Sequence, residues 1–174
     1  MNTQRFSFFL SRIRSLLFPA VQVHAPQTEM VIEWDKPVFM RDGVQLRVNV
    51  FRPNHQHSCP VIISFHPYGK DNLPKKNVFG RYQPLAPYRI LRQAGAFIVS
   101  SLTGWEAPDP DFWVKHDYVV INADMRGFGH SQGQKSLLSA QEAEDYYDLI
   151  EWAANQSWSN GKIGLCGVSY LALS

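Results

Sequence analysis

Residues 60–65 (PVIISF) and 118–123 (YVVINA) are short, apolar almost throughout, and bounded by turn-forming residues. Continuous rather than alternating apolarity at that length belongs to strands covered on both faces, which is how parallel sheets are built. Upstream, residues 30–34 form another β-type run, and Val44, Leu46, Val48 and Val50 alternate with Gln45, Arg47 and Asn49, the pattern of a strand with one dry face. Asp42 and Gly43 separate this strand from Val38, Phe39 and Met40, and Asp-Gly supplies the positive φ of a hairpin turn. The Pro-, Gly- and Tyr-rich stretch 71–110 reads as an elaborated crossover with one helical candidate, 87–95. Ser139 with Glu142 three residues on predicts a capping box at the start of a helix. In that helix Ala143, Tyr146, Tyr147, Ile150 and Ala154 share one face, opposite Glu144, Asp148 and Glu151. Asn160 and Gly161 end the connection, and residues 162–166 (KIGLC) are one more short strand. Two hairpin strands, then strand, crossover, strand, helix, strand is the order of an α/β sheet turning parallel.

Composition narrows the classes further. With 45% hydrophobic and 18% charged residues in 174, the chain has the balance of a folded domain, which excludes collagen, coiled coil and wholesale disorder. A net charge of +2 is too small for a surface whose affinity comes from neutralising phosphates, so nucleic acid is not an expected partner. Residues 1–28 hold Arg5, Arg12 and Arg14 and no acid, and are read as a basic, flexible N-terminal extension; residues 29–174 form the domain. The apolar run 6–18 is interrupted by Arg12 and Arg14, falls short of the roughly 18 residues a spanning helix needs, and is unlike a secretory signal. An organelle transit peptide fits it better, while cysteine usage makes a reducing, cytoplasmic setting the default. Cys59 and Cys166 do not make a disulfide framework.

The last strand runs directly into residues 167–172 (GVSYLA). A serine hydroxyl becomes a useful nucleophile when it is held exposed, near a base, with donors waiting for the oxyanion. A sharp strand-to-helix turn does the holding, and Gly167 removes a side chain that would collide there. The elbow pattern G-x-S-x-G has Leu171 at its fifth position here, so by itself the motif also fits a structural serine. Gly127, Gly129 and Gly133 imitate a dinucleotide loop, but their spacing overshoots by one and no helix follows directly, so no cofactor is expected. His55, His57 and Cys59 lack a fourth ligand at useful spacing, so no metal is expected either. Asp124 and Arg126 are expected to pair and fix a turn.

Residues 65–71 (FHPYGKD), 105–110 (WEAPDP), 124–133 (DMRGFGHSQG), 151–152 (EW) and 156–162 (QSWSNGK) follow the strands in order, and Ser-Tyr stands at the elbow. In this series the chain resembles the Xaa-Pro dipeptidyl-peptidase and cocaine esterase-like (CocE/NonD) serine hydrolases over roughly residues 29–174. The resemblance implies the N-terminal part of an α/β-hydrolase domain that cleaves an ester or an Xaa-Pro-type amide through an acyl-serine. It assigns Ser169 as nucleophile, the Tyr170 amide as one oxyanion donor and the Tyr68 hydroxyl as the second. Ala172 stands where the family often has glycine. In this fold the triad acid and histidine follow the serine, yet the five residues after Ser169 include no His, Asp or Glu. The expectation is therefore the front piece of a larger enzyme, with a catalytically inert fragment as the alternative. His66 is the one histidine that could approach Ser169, and packing is its expected role. An unpaired edge on the last strand would invite self-association.

Overall fold

The computed structural model describes residues 21–90 and 97–172. Its main sheet has five strands in the order β2-β3-β8-β4-β9, namely β2 (Met30–Phe39), β3 (Gln45–Pro53), β4 (Cys59–His66), β8 (Val119–Asp124) and β9 (Ser159–Leu165). β2 and β3 pair antiparallel, β3 pairs antiparallel with β8, and β4 lies parallel between β8 and β9. The sheet is thus the expected one, an antiparallel lead-in that turns parallel.

The hairpin turn has the expected chemistry. Gly43 sits at φ 82°, its N–H donates to the Met40 carbonyl, and the Asp42 carboxylate accepts from the Val44 N–H. β2 runs through the gap left between residues 34 and 38, because a bulge at Glu33 and Lys36 absorbs Asp35 in a left-handed conformation (φ 52°). The bulge is held from β3, whose Asn49 side chain accepts from the Asp35 N–H. Asn49 is therefore fully buried, and the polar face of β3 is not the wet face that alternation implies.

The crossover is richer than its reading. It carries a small hairpin of β5 (Lys75–Lys76) and β6 (Tyr82–Gln83), helix α1 (Ala86–Ile90), strand β7 (Phe97–Ser100) and helix α2 (Pro110–Lys115). The second half of the helix expected over 87–95 lies outside the described residues. α2 starts on an Asp109 cap with Pro110 in the first turn, a start signal that the sequence reading passed over. The flexible extension expected through residue 28 is corrected for its last eight residues. β1 (Val21–His24) pairs parallel with β7, and the Gln27 and Thr28 amides donate to the Asp111 carboxylate.

Helices cover both faces of the sheet. On one face Val61, Ile63, Phe65 and Ile121 pack against α3 (Ala140–Ala154), where Phe65 stacks on Tyr146 at 5.0 Å. On the other, Phe51 and Val120 meet Val114 of α2 and Leu102. The buried face of α3 is Glu142, Asp145, Tyr146, Leu149 and Ala153, one residue round from the expected stripe, and Tyr147 and Ala143 are exposed. Two carboxylates turn inward because each has a partner there. Ser139 caps the helix by accepting from the Glu142 N–H, but the Glu142 carboxylate does not close the box. It accepts from the Leu138 amide instead, at 2.6 Å.

Candidate active site

β9 delivers the elbow. The Cys166 N–H continues the parallel pairing to the Ile63 carbonyl, and the chain then reverses through Gly167 and Val168 into a 3-10 turn, Ser169–Ala172. Ser169 is exposed at φ 59°, the left-handed region that a non-glycine residue occupies only when its surroundings impose it. Gly167 is required for this path: a Cβ there would lie 2.3 Å from the Cβ of Leu171 and 2.6 Å from its carbonyl oxygen. Leu171 is buried beneath the turn and anchors it. The described residues after Ser169 form this single turn, in keeping with the few residues available to propagate a helix.

Tyr170 points its hydroxyl away from the elbow. The phenol donates to the Glu142 carboxylate at 2.9 Å and accepts from the Leu138 N–H at 3.3 Å, tying the elbow to the start of α3. Burial, followed by the bond to Glu142, raises its pKa. With its side chain committed, Tyr170 can serve an oxyanion through its backbone amide alone.

Tyr68 follows β4 in the loop Pro67, Tyr68, Gly69, where Gly69 takes φ 89°. Its ring is 40% exposed, and partial burial together with the charge of the adjacent Glu106 carboxylate raises its pKa. The phenol therefore keeps its proton at neutral pH, as a donor must. The neighbourhood is shared with the elbow: the Glu106 carbonyl accepts from the Val168 N–H, and the charge of Tyr68 adds to the upward shift at Tyr170. Glu106 itself was not singled out from the sequence. It occupies φ 62°, and no local pattern marks such a position.

Beneath Tyr68 the loop is fastened by Lys70, whose ammonium is fully buried and reaches Asp35 at 2.9 Å, Asp71 at 2.5 Å and Asp124 at 3.7 Å. Burial lowers its pKa, but the bonds to Asp71 and Asp35 outweigh that and raise it overall. Asp35, Asp71 and His130 have the spacing of a metal cluster, yet Lys70 already bridges the two carboxylates. The expected pairing of Asp124 with Arg126 is corrected. Asp124 accepts from the backbone amides of Lys70 and His130, whereas Arg126 grips Asp145 through two bonds of 2.7 and 2.6 Å and also reaches Asp42. A buried bidentate partner 19 residues away outcompetes a neighbour whose oxygens the turn amides already hold. Gly127, Gly129 and Gly133 shape that same turn at positive φ, and a Cβ on Gly129 would strike the Asp124 carboxylate at 2.0 Å. Of the zinc-like trio, His55 faces Asp117 at 3.3 Å and the Cys59 thiol approaches the His57 carbonyl.

His66 is packed, as expected of it, rather than presented to Ser169. It is 1% exposed, its Nε2 lies 3.2 Å from the Ser64 hydroxyl, and burial pushes its pKa down to about 4. The unfolded chain takes up this proton near pH 6.5, before the folded one does, so stability is whole above that pH and falls as pH drops. By pH 5 the loss from this residue is about 2 kcal/mol. Urea titrations at pH 7 and pH 5 should show it, and His66→Gln should shrink the difference by that amount. An unchanged difference in the variant would contradict a neutral, buried His66.

Comparison with known proteins bears on this geometry. The family model described as X-Pro dipeptidyl-peptidase (S15 family) matches residues 42–174. The cocaine esterase of Rhodococcus sp. (strain MB1 Bresler) is 30% identical over 135 residues, which cover 78% of this chain and 19% of that protein. A putative serine esterase of Mycobacterium bovis is 25% identical over 134 residues, 76% of this chain and 20% of its own length. Among solved structures, a CocE/NonD family hydrolase from Staphylococcus aureus superposes with a TM-score of 0.71 at 51% identity, covering 84% of this chain and 24% of that one. The chain thus spans about a fifth of the length of the curated relatives it matches.

Proposed function

Because the chain belongs to the X-Pro dipeptidyl-peptidase (S15) family of hydrolases, we propose that it carries the nucleophile half of a serine hydrolase active site that cleaves an ester or an Xaa-Pro-type amide. The observation that carries this reading is Ser169, exposed in a left-handed conformation where a parallel strand breaks into a turn. In the reaction, Ser169 Oγ attacks the substrate carbonyl carbon and gives its proton to a histidine base. The carbonyl oxygen becomes an oxyanion that accepts from the Tyr170 amide and the Tyr68 hydroxyl. Collapse expels the alcohol or amine, which takes the proton from the histidine. Water then cleaves the acyl-serine by the same route in reverse, releasing the acid and restoring Ser169. The histidine and its orienting acid are supplied from beyond these 174 residues in this proposal. The raised pKa of Tyr68 supports the donor role, since an ionised phenol would repel the oxyanion.

A fluorophosphonate probe tests the nucleophile directly. The expected result, on protein that carries the histidine and its acid together with these 174 residues, is covalent labelling that Ser169→Ala abolishes and that Tyr68→Phe slows by about 100-fold, the usual scale for one oxyanion donor. Labelling that persists in Ser169→Ala would remove Ser169 from the reaction.

A further inference from the structure

The hairpin of β5 and β6 carries Val78 and Phe79 at its tip, 94% and 84% exposed. Single exposed apolar residues are ordinary on a protein surface, and what distinguishes this pair is its setting. Lys75, Lys76 and Arg81 flank the tip and are all exposed, and residues 72–105 contain five Lys and Arg and no acid. The loop also meets its own hydrogen-bonding needs. The Asn77 side chain accepts from the Phe79 and Arg81 amides, its carbonyl accepts from the Gly80 amide, and its N–H donates to the Arg81 carbonyl. Backbone groups paired in this way do not have to be stripped of water when a loop enters an apolar phase. The hairpin adjoins β1, since residues 21–25 and 80–84 line one recess. Residues 1–20 join the fold at β1, and their sequence holds three arginines, no acid and the apolar run 6–18. A second basic, apolar segment is thus attached beside the hairpin.

We propose that this hairpin docks on a lipid bilayer surface carrying anionic headgroups, with Val78 and Phe79 inserted among the headgroups and Lys75, Lys76 and Arg81 facing their phosphates. The uncompensated cations select an anionic partner. The shape selects lipid, because two side chains projecting from a narrow tip can sink into a bilayer without a complementary pocket to receive them. Stable attachment to a membrane surface takes two signals, and the basic, apolar segment joined at β1 supplies the second. Among the described residues no helix is long and apolar enough to cross a membrane, and the hairpin attaches to its surface.

The test is flotation of the full 174-residue chain with vesicles of phosphatidylcholine, either alone or mixed equally with phosphatidylglycerol. The chain should bind the mixed vesicles at least about 10-fold tighter, and added salt should erode the difference. Lys75→Gln combined with Lys76→Gln should weaken that binding by about 20-fold, at roughly fivefold for each cation near the surface. Phe79→Ser should weaken it by about 10-fold, the return on burying most of an aromatic side chain, whereas Phe79→Trp, which suits the interface, should keep it. These positions are exposed, so circular dichroism of each variant should match the wild type. Failure to bind the mixed vesicles overturns the proposal, as does binding that survives both the lysine and the Phe79→Ser substitutions, which would leave attachment to residues 1–20. Equally tight capture by polyglutamate that ignores Phe79→Ser would assign the patch to an acidic protein and overturn the lipid assignment.

Discussion

Lys70→Met should destabilise the protein by about 3 kcal/mol, read as a lowered urea midpoint at neutral pH with an unchanged slope. The ammonium is fully buried and answers three carboxylates, so its removal leaves Asp35, Asp71 and Asp124 facing one another, with Arg47 at 3.8 Å from Asp35 and the exposed His130 ring as their remaining ion-pair partners among the described residues. Asp124 is the costly one, since it is 1% exposed and burial already pushes its pKa up. Asp35 and Asp71 are about two-fifths exposed and water screens them, which keeps the expected loss at the lower end for a broken buried pair. The methionine preserves the packing of the stem, so the effect reports charge rather than volume. Lys70 lies two residues after Tyr68, and its amide also donates to Asp124, so the same variant should loosen the loop that presents the phenol. Fluorophosphonate labelling should therefore slow more in Lys70→Met than in Lys36→Met, which removes a pair with Glu33 whose side chains are 32% and 30% exposed. A change in stability below about 1 kcal/mol, the range of surface pairs, would mean that the cluster relaxes around the missing charge.

The sheet and the elbow were legible because their signals are local. The apolar runs at residues 60–65 and 118–123 became β4 and β8, the Asp-Gly turn formed where its φ demanded, and Gly167 is confined by contacts within four residues of itself. The misreadings of burial share one cause, which is that polarity was taken as a sign of exposure. Glu142 and Asp145 rotate the buried face of α3 by one residue because Tyr170 and Arg126, far along the chain, satisfy them inside. Asn49 is buried because the bulge at Asp35 needs its carbonyl, and Lys70, for which the sequence carries no burial signal, is buried because three acids converge on it. None of these pairings leaves a periodic trace. Glu106 belongs with them, since the segment 105–110 is legible as a family motif but its position beside both Tyr68 and the elbow follows from the path of the crossover loop.

Gly167→Ala should cost about 100-fold in the rate of fluorophosphonate labelling. The new methyl would lie 2.3 Å from the Leu171 Cβ and within 2.8 Å of two of its backbone atoms, so no side-chain rotation relieves the contact. Either Leu171 leaves its buried seat or the turn opens, and each path shifts Ser169 by about an ångström, a displacement of the size that costs a catalytic constellation about two orders of magnitude. Gly164→Ala, three residues earlier, is the control. Its nearest atom would be the Val61 carbonyl at 3.8 Å, an ordinary contact, and labelling should stay within about twofold. Urea unfolding separates geometry from global damage: Gly167→Ala should lose about 2 kcal/mol, as overpacked sites do, and Gly164→Ala under about 0.5 kcal/mol. Equal behaviour of the two variants would mean that the bend at Ser169 is not held by the closeness of Gly167 to Leu171, and the exposed, strained placement of the serine would then need another cause.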